Sequence, residues 1–414
     1  MIIKIYKYLS NFIFIPVLVF FFLRLFLSKE SKKSIFQKFF FSKSKRPKGK
    51  LIWINGVSIG EAKSGLIVAQ KVLKNEPHSN ILFSTSTLTA FNIISGLEKN
   101  ITLIYSPVDI SFVIKRFLKY WRPDSVIFME SEIWPNIISE LNENKINFNI
   151  LNGRISKKSF FFWKKISFFS RDLFSKIDKC FVQDQHSKKR FELLGAKNVQ
   201  LMTNLKFLTN EKNSNKHELK VLKKNLNKKI IITFFSCHEN EEQILIDCYQ
   251  NLKKKNNNLF FVIVPRHIQK TNGIISKLQK SEIKFSVRSK CKNINSDNIF
   301  YVADTYGELN FFFHLSNIAI VGGSFKKIGG HNPVEVRHHN CVLFFGPHMF
   351  NFLEIKEKIL EENAGFEVGN SKELSEKIQL IIDNKILAKE MIGNFKQLCR
   401  KESKKAMLVL KQIA

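Results

Sequence analysis

The sequence predicts two α/β domains in tandem, each a doubly wound parallel sheet, behind an N-terminal hydrophobic helix. The length of 414 residues exceeds what one hydrophobic core usually supports. Short apolar runs alternate with stretches whose apolar residues recur at helical spacing, which is typical of parallel strands joined by crossover helices. A polar segment, NEKNSNKHELK at 210–220, separates two series of such runs and is the expected linker.

Five apolar runs on each side of the linker are predicted strands. The first series is LIWIN (51–55), ILFST (81–85), SVIFM (125–129), FNIL (148–151) and CFVQ (180–183). The second is IIITF (230–234), LFFVIV (259–264), IFYVA (299–303), IAIVGG (318–323) and CVLFF (341–345). We therefore expect an anchor at 1–30 and domains at 31–210 and 211–414, with the last helix able to pack back on the first domain. Ligands of such domains bind at the carboxyl ends of the strands, so the cleft between the domains is the expected active site.

The composition excludes several classes of protein. Apolar residues make up 44% of the chain, which excludes wholesale disorder. The six cysteines form no CxxC pair, which argues against a zinc knuckle or a disulfide scaffold and favours a reducing compartment. The net charge of +32 is mostly lysine and comes without a nucleic-acid-binding motif, so no nucleic-acid partner is expected. A positive surface facing anionic lipid is the favoured interpretation.

The N-terminal segment contains the apolar run FIFIPVLVFFFLRLFL at 12–27. This run is shorter than the roughly 20 residues of a usual spanning helix. No small-residue cleavage site follows, and the lysine-rich flank after it predicts that the rest of the chain is cytoplasmic. We expect an uncleaved anchor that spans the membrane or lies in its interface. The alternative is a hydrophobic helix buried in the fold.

A glycine-containing turn, NGVSIGE (55–61), follows the first predicted strand and opens a helix. Glu61 lies in the first turn of that helix, at the carboxyl edge of the sheet. A carboxylate there can accept a proton from a substrate hydroxyl group. It can equally complement the helix dipole, as acidic residues in first turns commonly do. Position alone leaves both interpretations open.

A second acidic segment, ESEIWPN (130–136), follows another predicted strand. Two acidic residues, Glu130 and Glu132, stand beside a tryptophan and a proline, which is unusual for a plain loop. The composition favours polar contacts to a sugar or a second catalytic group. The alternative is helix capping, with Pro135 near the first helical position.

The second domain also carries polar residues at strand ends. Arg266 in VPRH (264–267) suits a contact with phosphate or carboxylate, and a surface arginine is the alternative. The segment DTYGEL (304–309) can bind a ribose or base through Glu308 and backbone amides, or can be an ordinary cap and turn. His238 in SCHENEE (236–242) has acidic neighbours but no partner histidine at ligand spacing, so no metal is predicted.

Glycine pairs in GGSF (322–325) and GGHNPVE (329–335) are the most informative feature of this domain. Glycines let backbone amides approach a phosphate, and a helix N-terminus adds partial positive charge. Glu335 would then suit ribose hydroxyls. A purely structural loop is the alternative, and the chain has neither GxGxxG nor GxxxxGK[ST].

These segments resemble the 3-deoxy-D-manno-octulosonic acid (Kdo) transferases of Gram-negative bacteria. The resemblance covers nearly the whole chain, and GGHNPVE followed by FGPHMFNF (345–352) is its most specific part. The other matching segments are VSIGEA (57–62), ESEIWPN, NGRIS (152–156), NLKF (204–207), SCHENEE, VPRH and YGEL (306–309). The chain departs from the family at Cys237, where Thr is usual, near Asn240, where Gly is usual, and in its FKKI and RHH segments.

The resemblance implies a GT-B fold and an inverting enzyme that moves Kdo from CMP-Kdo to a lipid A precursor in lipopolysaccharide biosynthesis. It implies an inner-membrane enzyme with a cytoplasmic catalytic body, no cofactor and no required metal. Glu61 matches the general base of the family, whereas Glu130, Glu132 and Lys206 match positions that stabilise the transition state. The matching CMP-binding positions are Pro265, Arg266, Tyr306, Gly307, Glu308, Asn332, Pro333, Val334 and Glu335.

Two other functions stay open. One is a GT-B transferase that uses another nucleotide sugar, because specificity lies in loop details. The other is a catalytically inactive, basic protein that binds membranes or nucleic acid. The joint presence of Glu61, Arg266 and Glu335 favours an enzyme. Its expected partners are CMP-Kdo, a lipid A precursor and anionic lipids of the inner membrane.

Overall fold

The computed structural model describes residues 2–41, 44–95, 100–208, 216–226, 229–291 and 297–412. The chain forms two compact units, the first Met1–Thr209 with Glu402–Ala414 and the second Asn210–Lys401. Part of the expected linker, residues 210–215, lies outside the described residues. The rest of that linker, from Lys216, belongs to a helix that ends at Asn225.

The first unit contains a seven-stranded parallel sheet in the order β3-β2-β1-β4-β5-β6-β7. Its strands are β1 (Leu51–Asn55), β2 (Asn80–Thr85), β3 (Ile101–Tyr105), β4 (Ser125–Met129), β5 (Asn147–Gly153), β6 (Lys179–Val182) and β7 (Val199–Leu201). Its helices are α1 (Ile2–Phe12), α2 (Phe14–Phe26), α3 (Lys32–Lys38), α4 (Ile59–Asn75), α5 (Leu88–Ile94), α6 (Ser111–Trp121), α7 (Pro135–Glu143), α8 (Lys157–Lys165), α9 (Ser167–Phe174) and α10 (Gln185–Leu193). A 3-10 helix over Leu205–Leu208 follows them.

The second unit contains another seven-stranded parallel sheet, in the order β10-β11-β9-β8-β12-β13-β14. Its strands are β8 (Ile230–Cys237), β9 (Leu259–Pro265), β10 (Phe285–Val287), β11 (Phe300–Val302), β12 (Ile318–Val321), β13 (Val342–Phe345) and β14 (Gly365–Glu367). Its helices are α11 (Lys216–Asn225), α12 (Glu242–Leu252), α13 (Thr271–Lys280), α14 (Leu309–Leu315), α15 (Leu353–Glu361), α16 (Ser371–Asp383) and α17 (Lys385–Lys411), whose last residues belong to the first unit. Short 3-10 helices cover Ile268–Lys270, Pro333–Val336 and Phe350–Phe352.

The central strands of both sheets are buried on both faces. Every residue of β1 and β12 is buried, as expected for parallel strands that have helices on each side. The predicted doubly wound fold is confirmed, and all ten predicted strands are present. Four further strands, β3, β7, β10 and β14, lie toward the edges of the sheets, where burial is less complete and the apolar pattern is weaker.

The N-terminal segment forms two helices where one anchor was expected. α1 and α2 meet at Ile13 with a bend of 52°. No single described helix has the length and apolar character needed to cross a bilayer, although this bent pair does when taken together. The lysine-rich flank contains α3, and Phe39 and Phe40 directly after it are buried in the core of the first unit.

One face of α1 packs against the rest of the first unit. Lys7 of α1 is buried, and its Nζ lies 2.6 Å from Glu140 Oε1 and 2.7 Å from Glu143 Oε1 of α7. The Tyr6 hydroxyl donates to Asp109 Oδ2 at 3.3 Å. In contrast, α2 has no fully buried residue. Phe26 at the end of α2 is 83% exposed, and Phe12 at the end of α1 is 81% exposed.

Candidate active site

Each sheet reverses its strand order at one point, and the candidate residues lie there. In the first unit β2 and β4 flank β1, so the chain turns in opposite directions after β1 and β4. In the second unit the same reversal falls between β8 and β12. Loops diverge at such a point and leave a crevice at the carboxyl edge of the sheet, where α/β domains bind ligands.

Glu61 lies after β1, at the third position of α4. Ser58 caps this helix, and Glu61 Oε2 accepts hydrogen bonds from the backbone N–H groups of Val57 at 2.8 Å and Ser58 at 3.3 Å. Burial, and then the charge of Glu130, raises the pKa of Glu61 above its ordinary value in spite of these bonds. Both interpretations of the sequence therefore apply, because the carboxylate caps the helix and also has an increased affinity for protons.

The acidic loop, which we define as residues 130–134, follows the neighbouring strand β4. Glu130 has a left-handed backbone (φ 57°), which directs the chain away from the sheet immediately after the strand. Glu132 Oε2 accepts a hydrogen bond from Trp134 Nε1 at 2.7 Å. Burial, followed by the charge of Glu61, raises the pKa of Glu132 to about 7. The fold thus brings Glu61, Glu130 and Glu132 into one electrostatically coupled group.

Asn152 connects the acidic loop to the 3-10 helix that carries Lys206. It is fully buried and has a positive φ of 56°. Its Nδ2 donates to Glu130 Oε1 at 3.3 Å, and its Oδ1 accepts from the backbone N–H of Leu205 at 3.1 Å. The sequence predicts no role for Asn152, although an Asn–Gly pair after a predicted strand signals a left-handed turn. The half-buried Lys206 therefore lies one residue from this network.

Pro265 and Arg266 lie at the end of β9 in the second unit. Pro265 is the last residue of the strand, and the Arg266 backbone N–H donates to Cys237 O at 2.9 Å. The Arg266 side chain is exposed at the carboxyl edge of the sheet. This is the location that contact with an anionic ligand requires.

The segment Tyr306 to Glu308 lies after β11. Tyr306 is 75% exposed, and Gly307 has a left-handed φ of 84°. The carboxylate of Glu308 accepts hydrogen bonds from Arg288 Nη2 at 2.6 Å and Nε at 3.1 Å, and from the Thr305 hydroxyl. These hydrogen bonds hold the loop in one conformation. A ligand that contacts Glu308 would therefore meet a carboxylate whose position is already fixed.

The segment Asn332 to Glu335 caps and begins a short 3-10 turn over Pro333–Val336, where the sequence predicts the start of a longer helix. Asn332 caps it through a hydrogen bond from the Val334 N–H to Asn332 Oδ1 at 3.2 Å, and Pro333 occupies the first position. Pro333 and Val334 are buried, whereas Glu335 is exposed. The Glu335 side chain is therefore accessible to solvent, whereas the two residues before it anchor the turn in the core.

Two histidines distant in sequence meet beside this turn. His238 Nε2 lies 2.7 Å from His331 Nε2, although the residues are 93 positions apart. This partner for His238 was not predicted. Among the described residues no group of three or more His, Cys, Asp or Glu side chains is arranged to hold a metal ion.

Comparison with known proteins identifies the family. A family model of 3-deoxy-D-manno-octulosonic acid transferases (kdotransferases) matches residues 33–209. The chain is 30% identical over 382 residues to the 3-deoxy-D-manno-octulosonic acid transferase of Rickettsia bellii, with 92% of this chain and 91% of that protein covered. It is 30% identical over 359 residues to the enzyme of that name from Haemophilus influenzae, with 86% and 84% covered.

Solved structures with the same fold have low sequence identity. A glycosyltransferase from Rickettsia africae matches with a TM-score of 0.62 at 15% identity, covering 88% of this chain and 97% of that one. The UDP-GlcNAc 2-epimerase from Neisseria meningitidis matches with a TM-score of 0.60 at 12% identity, covering 88% and 99%. These matches show a GT-B-like fold with one parallel sheet in each unit, and the sequence relatives supply the family. The chain therefore belongs to the 3-deoxy-D-manno-octulosonic acid transferase family and is a glycosyltransferase.

Proposed function

We propose that this protein transfers Kdo from CMP-Kdo to a hydroxyl group of a lipid A precursor, with inversion at the anomeric carbon. The observation that carries the proposal is the group of three carboxylates at the reversal point of the first sheet. Two of them, Glu61 and Glu132, have raised pKa values because they are partly buried and lie close to other negative charges. Perturbed carboxylates at the ligand-binding edge of a sheet are a common mark of acid–base chemistry.

Glu61 is the proposed general base. The acceptor hydroxyl must lose its proton as it attacks the anomeric carbon, and a carboxylate with an elevated pKa accepts that proton more readily. The backbone N–H groups of Val57 and Ser58 hold the carboxylate in one orientation. Glu130, together with Glu132 in its ionised form, can supply negative charge to the sugar carbon as it becomes cation-like. Lys206 offers an opposite charge in the same unit.

The second unit is the proposed donor-binding unit. CMP is the leaving group, and its phosphate gains negative charge as the glycosidic bond breaks. Arg266 is exposed at the carboxyl edge of the sheet, where a guanidinium can bind phosphate in a bidentate manner. The glycine pairs and the Asn332 turn offer backbone N–H groups for the same purpose. This mechanism assigns no step to a metal ion or a cofactor.

The direct test combines mass spectrometry with a base variant. Membranes containing the protein are incubated with CMP-Kdo and a lipid A precursor, and the lipid is weighed. We expect the wild type to add Kdo, and we expect Glu61→Gln to lower kcat/KM about 10²–10⁴-fold. Glu76→Gln, at the other end of the same helix, is the matched control and should retain full activity.

Several outcomes of this assay would contradict the proposal. Transfer from UDP-N-acetylglucosamine but not from CMP-Kdo would assign the enzyme to another donor. No transfer from either, under conditions in which the Haemophilus influenzae relative works, would favour a binding role. Kdo transfer retained in Glu61→Gln would keep the reaction and reject the base.

We also propose that the first unit attaches to the cytoplasmic face of the inner membrane through α1 and α2. Phe12 and Phe26 are 81% and 83% exposed, and many neighbouring apolar side chains on these helices are also exposed. Exposed apolar surface of this kind is typical of a membrane-binding face. The exposed Lys29, Lys32 and Lys33 directly after it suit anionic head groups.

Vesicle flotation tests the membrane proposal. We expect the protein to float with vesicles containing phosphatidylglycerol and to bind phosphatidylcholine vesicles less tightly. The double variant Phe12→Ser/Phe26→Ser should weaken binding at least about tenfold, because each buried aromatic side chain contributes about 1.5–3 kcal/mol. Leu193→Ser changes another exposed apolar residue, on α10, which is 64% exposed, and should have no effect. Equal binding by all variants would place the attachment elsewhere.

A further inference from the structure

Two imidazole rings meet at the point where the second sheet reverses its strand order. His238 follows β8, and His331 lies in the loop after β12. Their Nε2 atoms are 2.7 Å apart, and the rings are nearly parallel, with an angle of 10° between their planes. At this distance one Nε2 must donate a proton and the other must accept it. We call these two residues the histidine pair.

The surrounding loops are built to hold the histidine pair together. Glu241 is fully buried, and its carboxylate accepts backbone N–H bonds from His238 at 2.9 Å, Gly323 at 2.7 Å and Phe325 at 3.1 Å. One carboxylate therefore fixes both loops. Gly323 has a φ of 70°, and a Cβ atom there would lie 3.1–3.4 Å from atoms of both rings. A Cβ atom at this position would also require the His331 ring to shift by a few tenths of an ångström.

Most charged groups around the histidine pair are cationic. Arg266 and Lys270 approach from the end of β9, and Lys326 approaches from the loop after β12. The His267 ring also lies beside His238, with 5.7 Å between the ring centroids. The three nearby carboxylates are engaged: Glu241 accepts the three backbone bonds, Glu239 forms an ion pair with Lys270 at 2.6 Å, and Glu242 forms one with Lys277 at 2.6 Å. The site therefore presents nitrogen donors and positive charge at the ligand-binding edge of the sheet.

The histidine pair is neutral near pH 7 in the absence of ligand. Burial, and then the charge of Arg266, lowers the pKa of His331 to about 4. Burial, and then the charge of His267, lowers the pKa of His238. An anion placed against the rings would offset the nearby positive charges and would favour the protonated form of an imidazole.

We propose that the histidine pair binds the phosphoryl group of the donor nucleotide and takes up one proton from solvent as that group binds. The inference rests on the proposed function, because it assumes that the second unit binds a cytidine nucleotide. No covalent bond forms or breaks in this step. The added proton gives the pair a further N–H group, which can donate a charge-assisted hydrogen bond to a phosphoryl oxygen. The pair would then stabilise the phosphate when CMP departs.

Calorimetric titration of the full-length protein tests this inference with three probes. CMP carries the phosphoryl group, cytidine lacks it, and free Kdo carries only the sugar carboxylate. We expect His238→Asn and His331→Asn each to weaken CMP binding about 10- to 100-fold, the range for a lost hydrogen bond to a charged group. Cytidine binding should stay within about twofold. The double variant should lose no more than a single one, because the two rings act as a unit.

Proton uptake gives a second measurement that a structural role would not affect. CMP titrations at pH 7.5, in buffers of different ionisation enthalpy, report the protons taken up on binding. We expect uptake by the wild type and by the control His78→Asn, an exposed histidine of the first unit, and none by either pair variant. The phosphate of CMP is itself almost fully ionised at this pH, since its second pKa is about 6.

The possible results separate the proposals. Equal loss of cytidine and CMP binding would indicate a structural role and overturn the inference, as would unchanged CMP binding. Loss of Kdo binding alone would assign the pair to the sugar carboxylate and overturn the phosphoryl assignment. A wild-type protein that binds neither CMP nor cytidine would refute the proposed function itself.

Discussion

Replacing Glu132 by Gln is expected to stabilise the protein at pH 8 and to have a much smaller effect at pH 5. Burial, and then the charge of Glu61, raises the pKa of Glu132 from 4.5 to about 7. The folded state therefore binds this proton more tightly than the unfolded state. The stability that the protonated carboxyl group contributes is present below pH 4.5 and is lost as the pH rises through about 7. Above that pH the folded state contains an ionised Glu132 that partial burial and the charge of Glu61 destabilise.

The magnitude follows from the size of the shift. A change from 4.5 to about 7 corresponds to about 3 kcal/mol at 1.36 kcal/mol per pKa unit. The side chain is only half-buried, so solvent screening reduces the expected gain to about 1–2 kcal/mol. For a domain of this size that gain raises Tm by about 2–8 °C. Gln retains an oxygen that can accept the hydrogen bond from Trp134 Nε1.

Thermal unfolding at pH 5 and pH 8, followed by circular dichroism, measures this difference. Glu76→Gln is the control of opposite sign, because a hydrogen bond from Lys50 lowers the pKa of Glu76. Its ionised form is the stabilised one, so Glu76→Gln should not raise Tm at pH 8. A Glu132→Gln protein with no higher Tm than wild type at pH 8, or with an equal gain at both pH values, would refute the reasoning.

Three further changes have defined outcomes. Lys7→Met leaves buried Glu140 without its closest cation, so chemical denaturation should show a loss of about 3–5 kcal/mol, and Lys7→Arg should recover part of it. Gly322→Ala places a Cβ in collision with the backbone oxygen of Ser236 and should lower Tm. Gly273 lies in α13 and has no neighbouring atom where its Cβ would stand, so Gly273→Ala should raise the free energy of unfolding by about 0.5–1 kcal/mol. Asn152→Ala removes the hydrogen bond from Asn152 to Glu130 of the acidic loop. It should lower kcat about tenfold or more in the transfer assay, with little change in KM.

The sequence predicts those parts of the fold that depend on local pattern. Each predicted strand is a run of apolar residues buried on both faces, which leaves a continuous signal in the chain. The strands at Val199–Leu201, Phe285–Val287 and Gly365–Glu367 have only three residues each, too few to display a period. Contacts between distant segments leave no such signal. The histidine pair joins residues 93 positions apart, and the Lys7–Glu140 pair joins residues 133 apart.

The site residues divide in the same way. The sequence predicts Glu61 and the acidic loop because each follows a strand directly, and the parallel topology brings those strand ends together. The sequence does not predict the role of Asn152, because that role depends on the backbone turn at φ 56° and on two partners from different segments. Glu308 was predicted as a ligand contact, and the structure adds that Arg288 already holds its carboxylate. That contact depends on a buried guanidinium that the local sequence does not reveal.

The two-sided character of α1 has a practical consequence for preparing this enzyme without detergent. Deleting the apolar N-terminus is a common route to a soluble protein, but here it would also remove Lys7 and Tyr6 from α7 and Asp109. The deletion would uncover the core that Ile3 helps to close. Polar substitutions confined to outward-facing positions such as Tyr8 and Phe12, which are 70% and 81% exposed, would reduce aggregation and leave the docked face intact. For this chain, redesigning the surface of the segment is a safer solubilisation strategy than truncation.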